Sequence, residues 1–200
     1  MNTFYKITPF GFLLIISLFI LACEAKQKAI PKPPTYLRVE LPERSYSNFE
    51  DETCSLFFTK PSYFSVKKAQ GNTCNKDIEF SSLNGTLHLS YIKMDTTLAA
   101  YVNYANDKVD EHKIKATSIR DTHFISKENN AYGTFFELQG NVATPFQFYL
   151  TDSITTFVSG VVYFNARPNY DSIRPVLDFV KKDLYKMMET LHWNKANTNS

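Results

Sequence analysis

The sequence predicts an α+β domain: an antiparallel β-sheet built as a meander, with one amphipathic helix mid-chain and a second, C-terminal helix packed on it. Three observations carry that reading. Apolar and polar residues alternate with a period of two in several short stretches, most clearly Thr86–Ile92, Phe146–Leu150 and Phe157–Tyr163. Ile173, Val176, Leu177, Val180, Leu184, Met187, Met188 and Leu191 instead recur every three or four residues, one stripe of a long helix. Aromatic residues make up 15% of the 200, a load that favours strands and a large core. A chain 44% hydrophobic and 21% charged, with 6 Gly and 9 Pro, is not disordered, collagen-like or a disulfide miniprotein. Its net charge of +2 lacks the positive excess of a nucleic-acid binder, so no nucleic-acid partner is expected.

Residues 1–22 read as a signal peptide. Met1 to Pro9 carry one charge, Lys6, and Phe10 to Ala22 form an apolar run shorter than the ~20 residues of a membrane-crossing helix. Ile20-Leu21-Ala22-Cys23 resembles the bacterial lipoprotein signal, in which the cysteine is diacylated, the peptide removed and the new N-terminus acylated. Leu21 is bulkier than the residue usual there. An uncleaved anchor ending by chance in Ala-Cys is the alternative. Cys23 is thus the expected lipidation site and membrane anchor. Palmitate-type chains contribute roughly 0.8 kcal/mol per buried methylene, and two or three of them hold a protein stably. Residues 23–35 contain Pro31, Pro33 and Pro34, an extended tether that would stand the domain roughly 30–40 Å off the membrane at ~3 Å per residue. No acidic cluster adjoins Cys23, which favours a periplasm-facing domain over surface export.

Residues 36–195 are expected to form one domain. Its first strand candidates are Tyr36–Leu41, Cys54–Phe58, Tyr63–Lys67, Ile78–Phe80 and Thr86–Ile92. Asn84-Gly85, where both positions tolerate positive φ, signals a hairpin before the last of these. Asp95-Thr96-Thr97 opens a helix whose apolar positions Leu98, Tyr101, Val102, Ala105 and Val109 carry it to near Lys113. Strands resume at Ser118–Ile125, Gly133–Gln139, Pro145–Thr151 and Thr156–Asn165, with a turn at Thr151-Asp152-Ser153. Asp171-Ser172 caps the closing helix, Pro175 falls in its first turn, and residues 196–200 are a polar tail. Cys54 and Cys74, an even pair in an oxidising envelope, are expected to form a disulfide, with two reduced structural thiols as the alternative. Closing that loop would contribute ~3 kcal/mol on the chain-entropy model.

No catalytic signature is present: no Gly-x-Ser-x-Gly, His-Glu-x-x-His, glycine-rich phosphate loop or Cys-x-x-Cys. Four histidines, His88, His112, His123 and His192, would have to converge through the fold to make a metal or catalytic site, and none is assigned a role. His88 alternates with core positions and belongs on an outer face; His192 sits at a helix C-terminus, where a cation is favoured. Asp95-Thr96-Thr97, Asp152-Ser153-Ile154 and Asp171-Ser172-Ile173 match an O-glycosylation pattern of some envelope bacteria, making Thr96, Ser153 and Ser172 candidate modification sites. Asp with Ser or Thr serves equally as a cap or turn there. The aromatics of Tyr132–Phe136, Phe146–Tyr149 and Tyr163-Phe164 exceed what one sheet face can bury. They form either an exposed partner surface or a crowd between two covered faces.

Across nearly its whole length the chain resembles the gliding-motility lipoprotein family GldD. The matching segments are Tyr36–Pro42, Cys54 with Pro61-Ser62-Tyr63, Cys74, Gly85–Tyr91, His112–Ala116, Gly140–Ser153, Tyr163-Phe164-Asn165 and Thr190–Trp193; Gly140–Ser153 is the most specific. One departure is Asn75, where the family tends to place an aromatic. The resemblance implies a cell-envelope lipoprotein required for gliding motility and type IX secretion, whose partners are proteins of that machinery. It implies no catalytic residues, cofactor, metal or small-molecule substrate. The alternatives are a module binding peptidoglycan, another glycan or a lipid, and an enzyme. The order of elements is also similar to the PsbP/Mog1 layout.

Overall fold

The computed structural model describes residues 39–71, 74–165 and 170–193; the signal segment 1–22, the tether 23–35 with Cys23, and the tail 196–200 lie outside them. Of the strand candidate Tyr36–Leu41, the described residues Val39 to Leu41 belong to no strand. Regular structure begins instead with β1, Tyr46–Asp51, which the sequence reading missed because its exposed Ser, Asn and Glu give no apolar alternation. β1 pairs antiparallel with β2, Leu56–Pro61, in a two-stranded sheet.

The main sheet has seven antiparallel strands among the described residues: β3, Ser65–Lys68; β4, Lys76–Phe80; β5, Gly85–Lys93; β6, Ala116–Ser126; β7, Ala131–Gly140; β8, Phe146–Thr151; and β9, Thr156–Phe164. Their order is β3-β4-β5-β9-β8-β7-β6. Between β5 and β6 lies helix α1, Leu98–Asp110; after β9 comes α2, Tyr170–Thr190. The α+β class and the antiparallel sheet with two packed helices are as expected.

The β4–β5 hairpin is wider than Asn84-Gly85 suggested. Leu83 is buried, so the turn takes a short 3₁₀ stretch, Ser81–Leu83, before Asn84 turns the chain at φ +55°. Gly85 is already paired with Phe80. At the other helix, Asp171 and Ser172 lie inside the first turn rather than capping it, because the helix is formed from Tyr170. Pro175 therefore falls in the second turn, where its missing N–H costs one bond at the exposed Asp171 carbonyl.

α2 lays its apolar stripe on one sheet face, and Leu56 and Phe58 of β2 close the edge of that core. Val176, Leu177, Val180, Leu184, Met187 and Met188 pack with Leu87, Leu89, Phe135, Phe146, Phe148, Val158 and Val162. Gly160 allows the Phe148 ring to lie directly on β9; a Cβ there would collide with it. On the opposite face a smaller core joins Val109 of α1 to Phe136, Leu138 and Val142. The aromatic crowding is thus resolved between two covered faces. Phe135, Phe136, Phe146 and Phe148 are all buried, Tyr132, Tyr149 and Phe164 are partly so, and of these segments only Tyr163 is exposed, at 42%.

Candidate functional site

Because side chains alternate across a strand, the residues that β5 and β9 do not give to the α2 core face the other way, among them Ser90 and Ile92, Phe157, Ser159, Val161 and Tyr163. α1 crosses above β8 and reaches only part of this surface. What remains between helix and sheet is a groove of about 500 Å³. Its floor is Ile92, Phe157 and Val161, with the small Ser159 and Gly160 deepening it; Tyr101, Tyr104 and Lys108 of α1 form one wall and Tyr163 lies opposite. Tyr104 is 61% exposed. Tyr101 is fixed in place, its hydroxyl donating to Asp95 Oδ1 at 2.6 Å while its ring lies 5.5 Å from that of Phe157.

The far end of the groove is polar. Gln147 Nε2 donates to Thr144 Oγ1 at 3.0 Å, and the same hydroxyl lies 3.0 Å from His112 Nε2. The Thr144 hydroxyl thus accepts from Gln147 and bonds His112, the direction of that second bond following the imidazole tautomer. This is a satisfied network; Thr144 is 1% exposed, too enclosed to act as a nucleophile on a substrate.

The other histidines are scattered. His88 is on the outer face as expected, its Nδ1 2.6 Å from Asp77 Oδ1 and its ring edge-on to Tyr163. His123 Nδ1 is 3.4 Å from Thr134 Oγ1 on β6 and β7. His192 makes a backbone bridge with Phe57. The fold does not bring the four together, and among the described residues no group of three or more His, Cys, Asp or Glu is placed to hold a metal.

Of the other singled-out residues, Cys54 and Cys74 have their sulfurs in contact and Cα atoms 5.5 Å apart. Asn75, the departure from the family pattern, has a local use: its Oδ1 accepts the Tyr91 N–H at 2.9 Å. Thr96 is exposed just before α1, and Ser153 is exposed at a turn tip with φ +69°. Asp152 shapes that turn, its Oδ1 accepting from the N–H groups of Ile154, Thr155 and Thr156. Burial raises the Asp152 pKa, but these bonds and the Thr155 hydroxyl outweigh it and hold the carboxyl below its usual range. Ser172 is half-buried within α2.

Two buried charges that the sequence reading passed over organise this framework. Asp183, 0% exposed on the apolar stripe of α2, accepts from Arg44 Nε at 3.1 Å, from Tyr46 Oη at 2.7 Å and from Tyr63 Oη. Burial and the adjacent Asp183 carboxylate push the Tyr63 pKa far up, so its hydroxyl stays a donor. Lys76, 2% exposed on β4, pairs with Asp51 of β1 at 2.8 Å. The signal for Asp183 was present: a carboxylate sits where the helical period demands an apolar residue. A second cleft is ionic. Glu137 of β7 accepts from Tyr170 Oη at 2.9 Å and Lys181 Nζ at 3.1 Å. Burial and Glu137 push the Tyr170 pKa up to about 12.

The family model described as gliding motility lipoprotein GldD matches residues 26–193. No curated protein matches the chain. Two solved structures are similar to it in part: the Ran-binding protein Mog1p of Saccharomyces cerevisiae, at 9% identity and TM-score 0.49 over 76% of this chain and 96% of that one; and cyanobacterial PsbP of Synechocystis, at 10% identity and TM-score 0.42 over 76% of this chain and 98% of that one.

Proposed function

Because the chain belongs to the gliding motility lipoprotein GldD family, we propose that it is a lipid-anchored, periplasm-facing accessory of the gliding machinery and of type IX secretion. It is held by acylated Cys23 and acts by protein–protein contact rather than catalysis. The observation that carries the docking role is the groove between α1 and the outer face of β5 and β9. It is open, apolar along its floor and edged by the exposed Tyr104 and Tyr163. Aromatic side chains at a rim bring large contact area at small entropic cost, which is why they recur at interfaces. The described histidines support the non-enzymatic reading. His112 contacts a buried, doubly engaged threonine, and His88 pairs with an aspartate on an open strand face.

A module that binds glycan is the second reading, favoured by the same tyrosines, since a ring can stack on a sugar face. In-cell crosslinking and capture of the tagged protein separates the two. Stoichiometric recovery of motility or secretion proteins, lost in Cys23→Ser and reduced in Ser159→Arg, supports docking. Recovery of glycan alone overturns it. A Cys23→Ser protein that still fractionates with membranes and labels with a palmitate analogue overturns the anchor.

A further inference from the structure

The sheet has two edges, and they differ. β3 is four residues long and carries Lys67 and Lys68, the short charged edge that natural sheets use against unwanted pairing. β6 is eleven residues long, and among the described residues no strand pairs with its outer side. It is also held in place. Asn129 of the β6–β7 turn donates to the Glu189 carbonyl at 2.8 Å, and Trp193 Nε1 donates to the Asn130 carbonyl at 3.0 Å. A bulge interrupts β6 between Ala116 and Ser118, so its regular run is Ser118–Ser126, with Thr122 at the middle.

That run is complementary to itself. Two antiparallel copies of one strand related by a two-fold axis pair residues of the same face. With the axis at Thr122 the opposed residues are Thr122 with itself, Asp121 with His123, Arg120 with Phe124, Ile119 with Ile125, and Ser118 with Ser126. Each is a favourable cross-strand pair: an acid against an imidazole, a guanidinium against a ring, and two branched aliphatics. Ile125 is 66% exposed and would gain cover. Moving the axis by one residue destroys the match: centred on 121 it opposes Asp121 to Asp121, and centred on 123 it opposes Asp121 to Ile125. From this charge and shape complementarity we infer that β6 is a homodimer interface, joining two copies edge to edge into one continuous sheet centred on Thr122.

The test uses the full chain in native membranes, with single cysteines introduced on β6 and a short bismaleimide crosslinker. Thr122→Cys is expected to give a crosslinked dimer, because opposed Cβ atoms lie ~5 Å apart. Ile119→Cys or Ile125→Cys alone is expected to give none, their own copies being some six residues of strand, or ~20 Å, apart. The two co-expressed are expected to crosslink to each other. In the Thr122→Cys background, His123→Asp opposes two carboxylates and is expected to lower the yield several-fold; Asp121→Arg combined with His123→Asp is expected to restore it. Absence of a Thr122→Cys dimer, or equal yield from all three positions alone, overturns the interface. The groove variant Ser159→Arg leaves these yields unchanged if docking and dimerisation are separate.

Discussion

Lys76 and Asp51 form an ion pair across two sheets: Nζ of Lys76 on β4, 2% exposed, lies 2.8 Å from Oδ2 of Asp51 at the end of β1. The same aspartate accepts the Cys54 N–H at 3.1 Å, so the ammonium, the β1–β2 turn and the first cysteine are locked to one carboxylate. Removing one partner breaks the ion pair where the ammonium is almost fully buried. Lys76→Ala or Asp51→Ala is expected to lower unfolding free energy by about 3–5 kcal/mol, read by denaturant titration, and Lys76→Met with Asp51→Leu by much less than the sum. An additive double variant would show the pair to be uncoupled.

Asp183 is expected to be at least as sensitive. Asp183→Ala leaves a guanidinium and two phenol hydroxyls without their acceptor and is expected to cost about 3–5 kcal/mol. Asp183→Asn keeps the volume and one acceptor and is expected to cost less. Equal loss in both variants would assign the effect to charge alone.

Stability should fall in acid, with the sign fixed by three carboxylates. Burial raises the pKa of Asp51 and Glu137, but Lys76 at the one, and Tyr170 and Lys181 at the other, outweigh it; both finish below their usual values, as Asp152 does. A lowered folded-state pKa gives stability that is complete above the unfolded value, about 4, and is lost as pH falls through the folded one. Midpoints of denaturation are expected to be flat from about pH 7 to 5 and to drop below about pH 4. Asp51→Asn should flatten that drop; an unchanged pH profile would show Asp51 to be no contributor.

The Cys54–Cys74 bond is expected to contribute about 3 kcal/mol by restricting the unfolded chain. Cys54→Ala should lower the melting temperature accordingly. Two free thiols titrated in the oxidised protein would remove the bond.

If the Asp-Ser and Asp-Thr pattern is read by a glycosylating enzyme, Thr96 and Ser153 are the accessible hydroxyls and Ser172 is hindered by its helix. Intact-mass analysis should then show loss of a glycan in Ser153→Ala before Ser172→Ala. An unglycosylated wild-type mass would leave all three as caps and turn residues.

The readable parts of this fold were those where one face is apolar and the other wet. β5, the second half of β9 and the α2 stripe follow their periods, because burial on one side is what sets a period; β8 alternates in sequence although both its faces are covered. β1 was not readable: it is a strand because Asp183 and Lys76 hold its two ends, both contacts made across more than twenty residues of chain. The groove was half readable. Alternation placed Ser159, Val161 and Tyr163 on a shared face, but how much of that face α1 covers depends on where the helix crosses, which local pattern does not encode. The ion pairs fell between these cases, since a charge at an apolar position announces a partner without naming it.

In the anchoring proposed above, through acylated Cys23, traction would enter the described structure upstream of Arg44. Drawn from Tyr46, β1 would peel from β2 one rung at a time, the weakest way to load a ladder. Arg44 and Tyr46 would intercept that force first and pass it to Asp183, in the C-terminal half of a 21-residue helix whose stripe is buried in the main core. Traction on such an anchor would load the long helix before it unzips the first hairpin, and Arg44→Ala is expected to lower the force at which the domain yields in single-molecule pulling.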